Sequence, residues 1–472
     1  MEKIAAALNS ISKGYEVYAV GGFVRDLLLK RKHTDIDLAV NKNALRFAVK
    51  TAKLFNSKVV VLDDISKIYR IPLKDAPVEN IDISLLDGKN IVEDLKKRDF
   101  TVNAFAFNLE KFADFKKNLT AADKKNFAHL KSKTLYSVSS GAFKADPLRM
   151  LRAFRFAAET GLTISRSLLA QIKKNAALIQ KSAPERIKNE FFRILARKNC
   201  SAVVKMMDEC GLLAALFSEI GKMKKAAKKY YYHPGGLFQH SFETMSAADN
   251  IISNLEKFFP DNFKDLSEHF FQNGIYSQNV GRAGILKFAA LFHDSAKPET
   301  AKKEGSKMRF FGHEEAGAQK VGAIMKSLKM GKKETAAAVF LIENHMRPST
   351  LTKNNVVTKK AALKFFRDIG DFSADLLILA MADWHSYKRL KVFAPKMLKM
   401  QEKSVRELIK LYFEFKNAKP LPKIIDGRII MKKFKLKPGP WIGELIKIAV
   451  EKQSEGSISS QKEALDVISK KL

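Results

Sequence analysis

A strand-like run, "YEVYAV", stops at Gly21 and Gly22, a short helical pattern "VRDLLLKR" follows, and "DIDLAV" (35–40) returns to strand alternation. That order confines the start of the chain to a small α/β unit in which a glycine turn sits beside a strand end. Residues two apart on a strand share a face, so Asp35 and Asp37 project side by side. Paired carboxylates repel unless a hard cation lies between them, which makes the pair a Mg²⁺ site in expectation. A solvated strand end is the bland alternative. Three more strand-like runs, "SKVVVLDD", "KIYRIPL" and "NIDISLLDG", complete a mixed sheet within the first ~140 residues. Asp82 in the last of them is a candidate third carboxylate.

The glycines matter because side-chain-free backbone N–H groups at a helix start hold phosphate oxygens, and Arg25, followed by Asp26, stands on the first turn beside them. A second set lies in "EDLKKRDFTVNAFAF": Arg98, Asp99 and Asn103 supply a cation, an acceptor and an amide suited to the sugar and triphosphate of a nucleotide. A third is "ADPLRMLRAFRF". Here Asp146 and Pro147 read as a helix cap and first helical position, with Gly161 past the end. Arg149, Arg152 and Arg155 recur every three residues on one side, opposite Met150, Phe154 and Ala157. Asp accepts and Arg donates, so Asp146 with Arg149 can match the edge of a base. A surface charge run is the competing explanation for each set.

The whole chain of 472 residues carries 85 Lys+Arg against 50 Asp+Glu, a formal charge of +35. Such an excess suits a polyanion, nucleic acid first among them. Two cysteines, Cys200 and Cys210, exclude a disulfide framework and a Cys-rich zinc module. The first residues lack a secretory pattern and no apolar run approaches a bilayer span, so a soluble cytoplasmic protein with no membrane role is expected.

"GGFVRDLLL…DIDLAV", "RDFTVNAFAF", "DPLRMLRAFRFAAETG" and "SAPERIKNEFFRIL" resemble, in order and spacing, the motifs of class II tRNA nucleotidyltransferases, a family that includes CCA-, CC- and A-adding enzymes and bacterial poly(A) polymerases. The resemblance covers roughly the first 200 residues and, more loosely, "DGRIIMKKFKLKPGPWIGELI". It implies an α/β nucleotidyltransferase head with a mixed sheet, followed by an all-α neck, body, HD domain and tail, a multidomain α+β chain. Boundaries are expected at 1–138 for the head, 139–232 for an RNA-binding neck and body, 233–400 for the HD domain, and 401–472 for a basic tRNA-binding tail. By carry-over Asp35 and Asp37 bind Mg²⁺ and are catalytic, Gly21, Gly22, Arg25, Asp26, Arg98, Asp99 and Asn103 bind the incoming nucleotide, and Asp146 and Arg149 read its base. Arg152 and Arg155 contact the nucleotide or support that pair. The implied partners are the tRNA 3′ end and acceptor stem, with CTP and ATP. Two departures stand out: Ala145 replaces the frequent glutamate before Asp-Pro, and Lys97 a frequent arginine. The segment 62–71, "LDDISKIYRI", resembles the flexible loop that accompanies A addition, which favours CCA or terminal-A addition over CC addition.

Most histidines fall in 233–400. His240, His293-Asp294 and Asp383 run in the order H…HD…D, and imidazole with carboxylate suits a divalent transition metal. His313 in "FGHEEAGA" and His345 in "ENHMRP" are candidates for a second metal position. The setting "LKFAALFHDSAKPE" resembles an HD-domain phosphohydrolase. His33, His129, His233, His269 and His385 are unassigned. Competing readings of the whole chain are a poly(A) polymerase acting on RNA 3′ ends, an HD phosphohydrolase with a regulatory head, and a non-enzymatic RNA-binding module.

Overall fold

The computed structural model describes residues 1–472 except 64–66, 227–234, 273, 278, 353–356, 391–394 and 419–421. It divides into two units, residues 1–194 with 202–217, and residues 195–201 with 218–472.

The first unit is built on a seven-stranded sheet: β1 (Val17–Val20), β2 (Asp35–Val40), β3 (Val60–Asp63), β4 (Ile68–Pro72), β5 (Asn80–Leu85), β6 (Phe105–Asn108) and β7 (Thr120–Ala121). The spatial order is β3-β4-β5-β2-β1-β6-β7. Among the described residues of this sheet only β2 and β5 pair in parallel, with Asp37 opposite Asp82 and Asp35 opposite Asn80. The two-residue period then sorts the side chains. Ile36, Leu38, Ile81 and Ile83 enter the core, while Asp35, Asp37, Asn80 and Asp82 share the other face. On that same side the helix Ile91–Lys97 packs Ile91 and Leu95 against Val20, Ala39, Ala104 and Ala106. It leaves the β2–β5 aspartates uncovered.

Helices take over after the sheet, as the sequence pattern leads one to expect. The helix Arg149–Thr160 buries Met150, Leu151, Phe154 and Ala157 and ends on Gly161 in the left-handed region (φ +69°). Its start differs from expectation. The first helical residue is Arg149, not Pro147; Asp146 stands three residues upstream and caps the turn by accepting from the Leu148 N–H at 3.1 Å. The short turn Pro147–Leu148 therefore intervenes between the acid and the arginine stripe, within the usual fraying of a helix end.

Among its described residues the second unit is built of helices joined by loops, with one hairpin, Lys302–Glu304 paired with Lys307–Arg309, which interrupts a region expected to be helical throughout. Its centre is the almost fully apolar helix Arg282–Phe292. There Lys287, 1% exposed, donates to the carbonyls of Leu195 (3.0 Å) and Arg197 (2.7 Å) and pairs with buried Asp249 at 2.8 Å. The C-terminal segment forms its own small core from Ile425, Ile430, Ile442, Leu445, Ala449, Ile458, Ala464 and Ile468. Asp426 caps one of its helices and Ser460 closes a capping box with Glu463 on another. No helix among the described residues is long and apolar enough to cross a membrane.

Lys287→Met would leave the Asp249 carboxylate buried beside two carbonyls that have lost their donor. Removing one member of such a pair costs on the order of 3–5 kcal/mol. Both tryptophans, Trp384 and Trp441, lie in this unit, so urea unfolding followed by tryptophan fluorescence should show the midpoint fall sharply; an unchanged midpoint contradicts the assignment.

Candidate active site and candidate metal centre

The sheet face, the glycine turn and the Arg149–Thr160 helix enclose a cleft of about 620 Å³ in the first unit. Gly21 ends β1 at φ +68°, a conformation that a side chain disfavours. A Cβ there would also stand 3.0 Å from Arg98 Nη1 and 3.1 Å from Asp37 Oδ2. The turn thus brings backbone against the acid pair, and the Phe23 N–H donates to Asp37 Oδ2 at 3.2 Å.

The acids differ in their surroundings. Asp35 Oδ1 accepts from Asn80 Nδ2 at 2.9 Å. Asp82 lies across from Asp37 but is held by a two-pronged contact from Arg70, 2.8 and 2.7 Å. Burial, then the neighbouring Asp82, push the Asp37 carboxyl above its ordinary range; the Phe23 N–H and Arg98 pull it back in part, and Asp35 adds to the rise. Carboxylates crowded together at such a cost are what a divalent ion relieves. The donors are all hard oxygens on one face, so the set fits such an ion.

The nucleotide-binding candidates form one linked network. Arg25, buried, donates to both oxygens of Asp26 (2.9 and 2.8 Å) and to Asn103 Oδ1 (2.9 Å). Asn103 Nδ2 passes the contact on to Asp99 Oδ1 at 3.1 Å, and Arg152 grips Asp99 Oδ2 through Nε and Nη2 at 2.9 and 2.7 Å. Burial alone would raise the Asp99 carboxyl, but Arg152, Asn103 and the Phe100 N–H together bring it down to about 2. Arg98 is bound to Asp94 by two 2.9 Å contacts. Arg155 is buried between Glu190 (2.5 Å) and Glu159 (2.7 Å). Three guanidinium groups, of Arg25, Arg152 and Arg155, stand 5.2, 5.4 and 4.2 Å from the Phe156 ring centre. Asp146 Oδ2 takes a 3.0 Å contact from Arg186, and Arg149 Nη2 donates to the Lys97 carbonyl at 2.8 Å.

Of the sequence candidates for this site, Gly21, Gly22, Arg25, Asp35, Asp37, Arg98, Asp99, Asn103, Asp146, Arg149, Arg152 and Arg155 line the cleft. Asp26 is not among the lining residues; its carboxylate holds Arg25. Sequence reading missed Phe156, Asp94, Glu190, Arg186 and Arg70. The RxxxE spacing of Arg186 and Glu190 in "SAPERIKNEFFRIL" was the one available signal. The segment 62–71, likened in sequence to a flexible loop, instead carries the end of β3 and most of β4, which pair antiparallel; its residues 64–66 lie outside the described residues.

The second unit brings six of the candidate ligands together. His240, His293 and Asp383 offer ligand atoms within 4.8 Å of one another, as do Asp294, His313 and His345. His240 Nε2 faces His293 Nε2 at 3.2 Å, and His313 Nε2 faces His345 Nε2 at 3.3 Å. Asp294 reaches both groups, with Oδ2 3.3 Å from His240 and His293 and Oδ1 3.5 and 3.8 Å from His313 and His345. The Nδ1 atoms of His293, His313 and His345 meet the carbonyls of Ala290, Phe310 and Ile342 at 2.8, 2.8 and 2.6 Å. A carbonyl only accepts, so Nδ1 carries the proton and Nε2 presents its lone pair inward. Lone pairs aimed at one another beside carboxylates fit divalent metal. Burial and the other histidines push the His345 imidazole down to about 3, which keeps it a neutral ligand. The other described histidines are engaged elsewhere: His269 with Asp375 and Arg282, His385 with Glu402, His129 stacked on Tyr136, and His33 edge-on to Phe23. His233 lies outside the described residues.

Comparison with known proteins gives this geometry its context. Residues 17–126 match the poly A polymerase head domain, 161–223 the RNA and SrmB-binding site of polymerase A, and 315–468 the tRNA nucleotidyltransferase domain 2. The CC-adding tRNA nucleotidyltransferase of Thermus thermophilus is 26% identical over 95% of this chain and 92% of its own. The A-adding tRNA nucleotidyltransferase of Deinococcus radiodurans is 26% identical over 94% and 93%. A structure of the Thermotoga maritima CCA-adding enzyme complexed with tRNA superposes with a TM-score of 0.63 at 20% identity, over 99% of this chain and 94% of that one. The sheet-based head, its cleft and the helical remainder are those of a nucleotide-polymerising enzyme. The chain belongs to the tRNA nucleotidyltransferase and poly(A) polymerase family, whose members generally use a divalent metal ion.

Because the Asp99 carboxyl is depressed in the folded protein, its contribution to stability is complete above the ordinary carboxylate range near pH 4 and is lost as pH falls toward about 2. The shift corresponds to about 2 kcal/mol. Asp99→Asn should therefore be less stable at neutral pH and show a shallower acid limb in urea unfolding followed by circular dichroism. Parallel pH profiles for the two proteins would contradict this.

Proposed function

We propose that the protein is a template-independent tRNA nucleotidyltransferase that adds CCA, or the terminal A, to the tRNA 3′ end from CTP and ATP, and that it works in the cytoplasm. The observation that carries the reading is one cleft holding the Asp35–Asp37 pair at the Gly21 turn together with Asp146 and Arg149. The 3′-hydroxyl oxygen attacks the α-phosphorus; the new P–O bond forms as the bond to pyrophosphate breaks, and the hydroxyl proton leaves to solvent or phosphate. A divalent ion on Asp35 and Asp37, Mg²⁺ in this reading, supplies Lewis acidity for both the hydroxyl and the departing pyrophosphate.

The chain's own residues do the rest. The Gly21–Gly22 turn brings the backbone next to the acid pair, leaving room for phosphate oxygens at the helix start. Arg98, locked to Asp94, places fixed positive charge against the same turn. Asp146 accepts from and Arg149 donates to the base. With Ala145 carrying no carboxylate, Arg149 is oriented by the Lys97 carbonyl and Asp146 by Arg186. Arg25, Asp26, Asn103, Asp99, Arg152 and Arg155 act as the rigid wall that holds these groups in register. The excess of 35 positive charges supports tRNA binding through phosphates.

Asp35→Ala and Asp37→Ala should each lower incorporation of labelled CTP and ATP into tRNA transcripts about a thousandfold or more. Chelation should do the same to the parent protein, with recovery on adding Mg²⁺. Retained extension by Asp37→Ala sinks the assignment. Transcripts ending in the discriminator base, C or CC report the number and identity of additions, and unlimited A tails on both tRNA and homopolymer RNA would instead favour a poly(A) polymerase.

A second reading concerns the other unit. The inward-facing Nε2 atoms bridged by Asp294 support an HD-type phosphohydrolase centre that holds two divalent transition metals, one on His240, His293 and Asp383 and one on His313 and His345, with Asp294 shared. Elemental analysis of protein purified without chelator should find metal that is lost in His345→Ala and His293→Ala. Equal metal content in the parent and both variants contradicts it.

A further inference from the structure

The hairpin that interrupts the helical unit is unusual in what it exposes. Every residue of its two strands faces solvent. Lys302 is registered directly opposite Arg309, Lys303 opposite Met308, and Glu304 opposite Lys307. Like charges opposite one another destabilise a strand pair, and an isolated two-stranded hairpin is marginal in water to begin with. Four cations stand against one acid, Glu304, which lies 3.7 Å from Arg309. No core explains the arrangement; a polyanion does.

Beyond the second strand, Phe311 is 71% exposed, the highest value among the large apolar side chains of the described residues. The chain then turns at Gly312 (φ +76°) straight into His313. Phe310, between hairpin and centre, gives its carbonyl to His313 Nδ1, and its ring carries Lys297, whose Nζ lies 2.7 Å from Asp294 Oδ2. Cations spaced along a short ribbon with a naked aromatic at its root are the parts that hold single-stranded nucleic acid, phosphates on the charges and a base on the ring.

We propose that residues 302–311 are a landing arm for single-stranded RNA, with phosphates on Lys302, Lys303, Lys307 and Arg309 and a base stacked on Phe311, and that the arm presents an RNA terminus, rather than a free nucleotide, to the histidine–aspartate centre. What the arm feeds rests on the phosphohydrolase reading of that centre; the RNA contact itself does not.

Two measurements on the full-length protein test it together. Phe311→p-benzoylphenylalanine should crosslink on irradiation to a labelled single-stranded RNA oligonucleotide. The combined variant Lys302→Ala, Lys303→Ala, Lys307→Ala, Arg309→Ala should bind that RNA with a shallower dependence of log affinity on log salt, by roughly 0.7 for each contact removed. Absence of the crosslink, or an unchanged slope, overturns the proposal; so does crosslinking to protein or to anionic lipid vesicles with none to RNA. Nucleotide incorporation and metal content of the parent protein are read in parallel. A protein that extends tRNA and carries metal, yet fails either arm test, refutes the arm and leaves the other two readings standing.

Discussion

Asp99 is the point on which the first unit's site depends. Its carboxylate sits where the sheet hands over to the Arg149–Thr160 helix, taking Asn103 on one oxygen and Arg152 on the other. Through Asn103 it fixes Arg25 beside the glycine turn; through Arg152 it fixes the helix that carries Arg149. A buried acid so fully paired is stable only if every partner is present, since an uncompensated charge there is costly. The consequence is a cleft in which the acid pair and the start of the Arg149–Thr160 helix are tied into one hydrogen-bonded frame.

The two candidate centres use opposite electrostatic strategies. In the head, Asp37 is held close to Asp35 and Asp82 despite their repulsion, and the Arg70 clamp cancels one of the three charges. The remaining pair is hard, oxygen-rich and open to a cleft, which suits an exchangeable divalent cation. In the second unit the donors are imidazoles locked by backbone carbonyls and almost wholly buried. Nitrogen-rich, closed and pre-oriented, they suit a resident transition metal.

In the absence of a carboxylate at 145, Arg149 finds the Lys97 carbonyl and Asp146 finds Arg186. A neutral backbone acceptor orients a guanidinium less strongly than a carboxylate does. The orientation of Arg149 therefore leans on the C-terminal end of the helix Ile91–Lys97, beside which Arg98 is held by Asp94.

Local pattern alone determined the alternation of β2 and β5, the glycine turn, the arginine stripe and the H…HD…D order, because strand period, turn chemistry and ligand type are written in neighbouring residues. The head residues it named as site candidates all line the cleft except Asp26. What it left undecided were the long-range choices: that Arg70 neutralises Asp82, that Arg155 is spent on Glu190 and Glu159, and that a charged hairpin stands out from a helical unit. Those follow from which side chains meet across sheet register and helix packing. A guanidinium reads the same in sequence whether it faces solvent, a nucleotide or a buried carboxylate, and only the folded arrangement supplies the partner that decides.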